Sequence, residues 1–124
     1  MVLDASALLA LVNAEKGWEQ VAEALPEGVV SAVNLSEVVA KLADHGLPSE
    51  QIRELLSGLG LVVVPFDHAD AFGAGELRAV KGGKQLSLGD RACLQLARRR
   101  ELPALTADRY WSRIDAGVNV IVIR

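Results

Sequence analysis

Four acidic side chains stand where strand-like segments end or where helical patterns begin, far from one another in the sequence. Asp4 and Asp108 each follow a short apolar run, while Glu37 and Asp90 each fall in the opening turn of a helical pattern. Carboxylate oxygens are hard ligands, and without histidine or cysteine they favour Mg²⁺ or Mn²⁺ over zinc. The four acids together would form a site for one such ion, or for two held about 3.5–4 Å apart.

The elements that must position these acids follow from the apolar pattern. Short aliphatic runs predict strands at Val2-Leu3, Val29 to Val33, Leu61 to Val64, Ala104 to Thr106 and Val118 to Ile123. Apolar residues spaced at i, i+3, i+4 and i+7 predict helices over 18–25, 35–42 and 52–59. A weaker helix is predicted from Asp67 to about Val80, and a strong one from Leu88 to Arg100.

This alternation predicts the fold class. Apolar runs without polar alternation suit strands that are buried on both faces, as in a parallel sheet. Strands that alternate with helices predict a three-layer α/β domain, with a mainly parallel central sheet of about five strands flanked by helices. Ligands of such sheets bind beyond the carboxyl ends of the strands. The four acids are therefore expected to converge at one edge of the sheet.

Helix capping is an alternative explanation for three of the acids. Ser87 and Asp90 have the spacing of a capping box, and acids favour helix N-termini. Asp4 and Asp108 could likewise cap the segments that follow them. Glu37 points away from the apolar stripe of its own helix, which suits a solvated surface acid as well as a site residue. The residues alone leave these alternatives open.

Composition and charge limit the remaining choices. The chain has 124 residues, 51% of them hydrophobic, which suits a single globular domain over residues 1–124. The net charge of −3 gives no overall attraction to nucleic acid. One cysteine, Cys93, excludes a disulfide framework and is expected to be buried. No basic leader or membrane-length apolar run is present, so a cytoplasmic location and no membrane association are expected.

The short sequences around the four acids resemble one protein family. They are Val-Leu-Asp-Ala-Ser-Ala-Leu at Asp4, Asn-Leu-Ser-Glu ending at Glu37, Leu-Ser-Leu-Gly-Asp-Arg-Ala at Asp90 and Leu-Thr-Ala-Asp-Arg-Tyr-Trp at Asp108. Each is brief, but their order and their placement among the helices resemble PIN domains, most closely the toxin ribonucleases of the VapC type. The resemblance covers essentially the whole chain.

The resemblance implies a function and roles for particular residues. It implies a Mg²⁺- or Mn²⁺-dependent endoribonuclease that hydrolyses RNA phosphodiester bonds and is the toxin of a type II toxin–antitoxin system. A cognate antitoxin and a homodimer are implied as partners. The implied metal-binding and catalytic residues are Asp4, Glu37, Asp90 and Asp108, with Ser6, Asn34 and Thr106 supporting them.

Substrate contacts are predicted from charge and aromaticity. Basic side chains near the acids, at Arg91, Arg109, Lys81 and Lys84, are candidates for contacts with RNA phosphates. Tyr110 and Trp111 follow Asp108 and could stack on a base, although packing in the core is the favoured interpretation.

Two other classes remain as alternatives. A phosphoacceptor receiver domain has a similar size and acids at strand ends, but Asp4 has no neighbouring acid and no aspartate closes the strand at Val64. A haloacid-dehalogenase-like phosphatase needs a second acid two residues after the first, where this chain has Ser6. A signalling receiver-like module and a non-catalytic PIN-like interaction domain are kept as the alternatives.

Overall fold

The structure is a computed structural model that describes residues 1–124. Its strands are β1 (Val2–Leu3), β2 (Val29–Ser31), β3 (Val62–Val64), β4 (Ala104–Thr106) and β5 (Val120–Val122). Its α-helices are α1 (Ala5–Val12), α2 (Trp18–Ala24), α3 (Ala32–Asp44), α4 (Ser49–Ser57), α5 (His68–Glu76) and α6 (Leu88–Arg100). Short 3₁₀ turns occupy Leu25–Glu27, Leu77–Ala79, Gly83–Gln85 and Arg109–Arg113. None of the helices combines the length and apolar character needed to cross a bilayer.

The five strands form one sheet in the order β3-β2-β1-β4-β5, and every neighbouring pair is parallel. The chain adds β2 and β3 on one side of β1 and then crosses over to add β4 and β5 on the other. The strand order therefore reverses between β1 and β4, where open α/β sheets form a crevice. The register pairs Leu3 with Leu105, so the next residues, Asp4 and Thr106, emerge side by side at this point.

Side-chain alternation along the strands produces the three layers. Val2 and Ala104 point into one buried cluster together with Cys93 and Leu94 of α6. Their neighbours in the strands point the opposite way, into a second cluster that contains residues of α1, α2, α3 and α4. The predicted α/β class is thus confirmed, and the sheet is wholly rather than mainly parallel.

The boundaries differ from the prediction where caps intervene. The second strand was expected to reach Val33, but it ends at Ser31, whose hydroxyl accepts a hydrogen bond from the backbone N–H of Val33 and caps α3. The last strand begins at Val120 rather than Val118. The weak helix after Asp67 ends at Glu76 and tightens into a 3₁₀ turn.

Candidate active site

A cleft of about 380 Å³ opens beyond the carboxyl ends of β1 and β4. It is bordered by the first turn of α1, one face of α3 and the first turn of α6. Its walls are formed by Asp4, Ala5, Ser6, Leu9, Asn34, Glu37, Ala40, Lys41, Asp44, Asp90 and Asp108. The structure therefore brings the four acids named from the sequence to one cleft at the reversal of strand order.

Asp4 lies at the floor of this cleft and is 4% exposed. One carboxylate oxygen accepts from the backbone N–H of Ala7 at 2.8 Å, which caps α1. The other accepts from the Thr106 hydroxyl at 2.6 Å. The Ser6 hydroxyl lies within 2.9 Å of both oxygens, but its single hydrogen can serve only one acceptor at a time. Asp4 therefore keeps spare acceptor capacity although it is buried.

Burial raises the pKa of Asp4 from its ordinary value of 3.8 to about 6. Hydrogen bonds from Thr106, Ala7 and Ser6 oppose this effect, and the charge of Asp90 adds to it. An ionised carboxylate at this position is thus costly unless a cation compensates it.

Two hydroxyls connect Asp4 to the loop that carries Asp108. The Thr106 oxygen accepts from the backbone N–H of Asp108 at 3.0 Å, while its hydrogen points to Asp4. The Ser6 oxygen accepts from the backbone N–H of Ala107 at 2.9 Å. These contacts fix the end of β4 against the start of α1, so Ser6 and Thr106 act on the positions of two acids at once.

Glu37 is held on the opposite wall by Asn34. The Asn34 side-chain nitrogen donates both of its hydrogens, one to the Glu37 carboxylate and one to the backbone carbonyl of Gly89, each at 2.9 Å. Asn34 is 1% exposed, and its side-chain oxygen has no partner. Partial burial raises the pKa of Glu37, the bond from Asn34 lowers it, and the charge of Asp90 raises it.

Asp90 and Asp108 cap helical turns as well as facing the cleft. Asp90 forms a capping box with Ser87, in which its Oδ2 accepts from the Ser87 backbone N–H at 3.0 Å. Asp108 Oδ1 accepts from the backbone N–H of Tyr110 at 2.9 Å. Since each cap uses one carboxylate oxygen, the second oxygen remains for a ligand.

The buried thiol of Cys93 lies near several of the acids of the cleft. Burial raises its pKa well above the ordinary value, and the charges of Asp4, Asp90 and Glu37 raise it further. The thiol is therefore neutral and packs in the core, as expected from the sequence. Three of the acids act on one buried atom, although they come from three different elements.

The donor set fits a hard divalent cation. It consists of carboxylate oxygens with unused acceptor capacity, together with the buried, unpartnered side-chain oxygen of Asn34. Burial raises the pKa of Asp4, and a cation bound beside this carboxylate would favour its ionised form. No group of three or more acidic, histidine or cysteine side chains stands close enough together to hold an ion. The fit therefore rests on donor chemistry and charge.

Two charged lining residues were not identified from the sequence. Lys41 and Asp44 follow Glu37 by one and two helical turns on the same face of α3. Their spacing from Asn34 and Glu37 was the available signal. Helical periodicity alone left this face open between solvent and a site, so it did not single out these two residues. Lys41 is exposed, is the one basic residue that lines the cleft, and makes no ion pair.

The basic residues predicted to contact RNA phosphates do not line the cleft. The Arg91 guanidinium donates to the backbone carbonyls of Leu86 and Ala74, which ties it to the protein. Arg109 donates to the carbonyl of Arg124. Lys81 and Lys84 are exposed on the loop and 3₁₀ turn that precede α6.

The two aromatic residues after Asp108 differ in exposure. Trp111 is fully buried in the core, as favoured from the sequence. Tyr110 is partly buried against the same cluster, and its hydroxyl donates to the carbonyl of Gly82 at 3.1 Å.

Solved structures of low sequence identity share this fold. A toxin–antitoxin complex from Klebsiella pneumoniae contains a chain that is 19% identical, with a TM-score of 0.76, 99% of this chain covered and 97% of that one. A chain of the DNA-bound VapBC from Salmonella typhimurium is 21% identical, with a TM-score of 0.75, 99% of this chain covered and 97% of that one. A chain of VapBC2 from Rickettsia felis, bound to a fragment of its promoter DNA, is 17% identical, with a TM-score of 0.74, 99% of this chain covered and 98% of that one.

Comparison at the level of sequence gives a family but no individual relative. No curated protein matches the chain. A family model described as the PIN domain matches residues 1–117, which include all four acids of the cleft. Because this match spans nearly the entire chain, the protein belongs to the PIN domain family.

Proposed function

We propose that this protein is a Mg²⁺- or Mn²⁺-dependent endoribonuclease and the toxin of a type II toxin–antitoxin pair. One observation carries the nuclease proposal: acids from four separate elements line a single cleft at the reversal of strand order, and one of them is buried with a raised pKa. Buried carboxylates of this kind are costly to maintain unless they serve a site. Membership of the PIN family adds support.

We assign the cleft residues different roles according to their positions. Asp4 and Asp90 would hold a divalent cation directly, and Asp108 would do so directly or through water. Glu37, oriented by Asn34, would bind a second ion or orient the attacking water. Ser6 and Thr106 hold the Asp4 carboxylate in place through their hydroxyls. When bound, the cation supplies Lewis-acid activation of water and phosphate for hydrolysis of the phosphodiester.

Lys41 is proposed as a contact for substrate phosphate. The remaining charged residues of the cleft are acids, which repel RNA, whereas Lys41 offers an unpaired ammonium group at the rim. We expect Lys41→Ala to raise KM about fivefold, equivalent to about 1 kcal/mol of binding. The value of kcat and the affinity for Mn²⁺ should change little.

Steady-state kinetics on a short fluorogenic RNA measures this effect. Lys16→Ala is the matched control, since Lys16 is also exposed but lies outside the cleft. A KM shift of equal size in both variants would mean that Lys41 contributes only overall charge, and the proposed contact would be wrong.

The nuclease proposal is tested on the purified protein after removal of any bound partner. A panel of single-stranded and hairpin RNAs is incubated with Mg²⁺, with Mn²⁺ or with EDTA. Cleavage in either metal and none in EDTA is the expected result. Absence of cleavage in both metals would favour a non-catalytic PIN-like domain, and phosphoryl transfer from a small phosphodonor to an aspartate would favour a receiver.

The toxin proposal rests on the structural neighbours, whose descriptions include a toxin–antitoxin complex and VapBC complexes bound to DNA. We accordingly propose a cognate antitoxin and a second copy of this chain as partners. Exposed apolar side chains at Val62, Val63 and Phe72 are of the kind that protein partners cover. Induced expression should arrest growth, and co-expression of the antitoxin should relieve the arrest. Unimpaired growth would remove the toxin role and leave the nuclease proposal standing.

A further inference from the structure

The wall of the cleft contains a close contact between two helices. Gly89 of α6 is buried, and its backbone carbonyl accepts from the Asn34 side chain, which also donates to Glu37. The Glu37 carboxylate lies directly over the Cα of Gly89. Helices α3 and α6 thus meet at Gly89. The Glu37 carboxylate occupies the space that a side chain at position 89 would fill.

The space over Gly89 is taken by the carboxylate itself. A Cβ atom at this position would overlap the carboxyl carbon and both oxygens of Glu37. The backbone of Gly89 is not in the left-handed region, so its conformation alone does not require glycine. Glycine is also the weaker helix former, since alanine is preferred in helix interiors. Neither the backbone conformation nor helix propensity therefore requires glycine at position 89, the second residue of α6.

We infer that Gly89 is a positioning residue for the site, because its missing side chain leaves the space in which Asn34 holds the Glu37 carboxylate. A methyl group at position 89 would push that carboxylate out of the cleft wall or break its bond to Asn34. The absence of a side chain at the residue before Asp90 thus serves the acid on the opposite helix. This inference rests on the proposed function and specifies how one of its acids is placed.

The test compares Gly89→Ala with Gly75→Ala. Gly75 lies in α5 with no atom within 4 Å of a Cβ added there, so its substitution controls for helix propensity. Gly89→Ala is expected to lower kcat about 100-fold, as a displaced catalytic group does. It should weaken Mn²⁺ binding, measured by titration calorimetry, about tenfold. Gly75→Ala should keep wild-type activity and Mn²⁺ affinity, with an equal or slightly higher unfolding midpoint.

A double-mutant cycle with Glu37→Ala separates positioning from general damage. Once the carboxylate is absent, the methyl group at position 89 has space. Gly89→Ala should then lower Mn²⁺ affinity no further. Wild-type affinity and activity in Gly89→Ala would overturn the inference, and so would equal losses with and without Glu37. If the wild type cuts no RNA but the cycle is coupled in Mn²⁺ affinity, the nuclease proposal fails and the positioning inference holds.

Discussion

Asp90→Asn is expected to reduce metal-dependent RNA cleavage by about a thousandfold, because loss of a ligand charge removes several kcal/mol of transition-state stabilisation. The protein should remain folded, since asparagine keeps a side-chain oxygen that can accept from the Ser87 backbone N–H in the helix cap. The measurement is single-turnover cleavage with enzyme in excess over RNA, combined with Mn²⁺ titration and thermal unfolding.

Asp44→Asn is the matched control for this prediction. Asp44 lines the same cleft and carries the same charge, but it lies at the end of α3 and has no assigned role in the site. Its substitution should change the rate of cleavage only slightly. Equal losses in the two variants would mean that the cleft responds to total negative charge, and the assignment of Asp90 as a ligand would be wrong.

The second large effect concerns stability and pH. Since burial raises the pKa of Asp4 to about 6 from 3.8, the folded protein binds a proton more tightly at this carboxyl than the unfolded chain does. The resulting stabilisation is complete below pH 3.8 and is lost as the pH rises to about 6. The gap between the two pKa values corresponds to about 3 kcal/mol.

Asp4→Asn isolates this contribution, because asparagine does not titrate. In EDTA, the free energy of unfolding of wild type relative to the variant should fall by about 2 kcal/mol between pH 4 and pH 7. Hydrogen bonds lost by the variant add an offset that does not depend on pH. Urea denaturation of both proteins across this range provides the measurement. A difference in unfolding free energy that stays constant with pH would contradict the raised pKa of Asp4.

The fold was predictable because its three central strands, β2, β1 and β4, are buried on both faces. Val2-Leu3 and Ala104 to Thr106 are fully or almost fully buried runs, and such runs favour a parallel sheet. The element boundaries were less predictable. Ser31 ends its strand by capping the next helix, and that competition between strand and cap is decided by the three-dimensional path of the chain.

The sequence left a choice between capping and site roles for Asp4, Asp90 and Asp108, and the structure shows that this choice was not exclusive. Asp4 and Asp108 cap the segments that follow them, Asp90 completes the capping box at the start of its own helix, and all three line the cleft. Both observations have one physical origin. The start of a helix or helical turn provides backbone N–H groups for one carboxylate oxygen and leaves the other facing the crevice.

Glu37 was the ambiguous acid, because helical periodicity placed it opposite the apolar stripe. That stripe is only partly core: Val38 and Leu42 are buried, whereas Val39 is 38% exposed. Helix α3 packs on two sides, and the second side meets α6 through the polar residue Asn34. Periodicity detects apolar faces, so a face buried through hydrogen bonds could not be predicted from it.

We propose that the cleft holds a divalent cation among these acids, and a crystal of the wild-type protein soaked in MnCl₂ tests this claim most directly. Anomalous difference density is expected in the cleft, with oxygens of Asp4 and Asp90 at about 2.1 Å from the ion. The peak should be absent from crystals of Asp90→Asn. Well-ordered crystals that bind Mn²⁺ only elsewhere, or not at all, would contradict the claim.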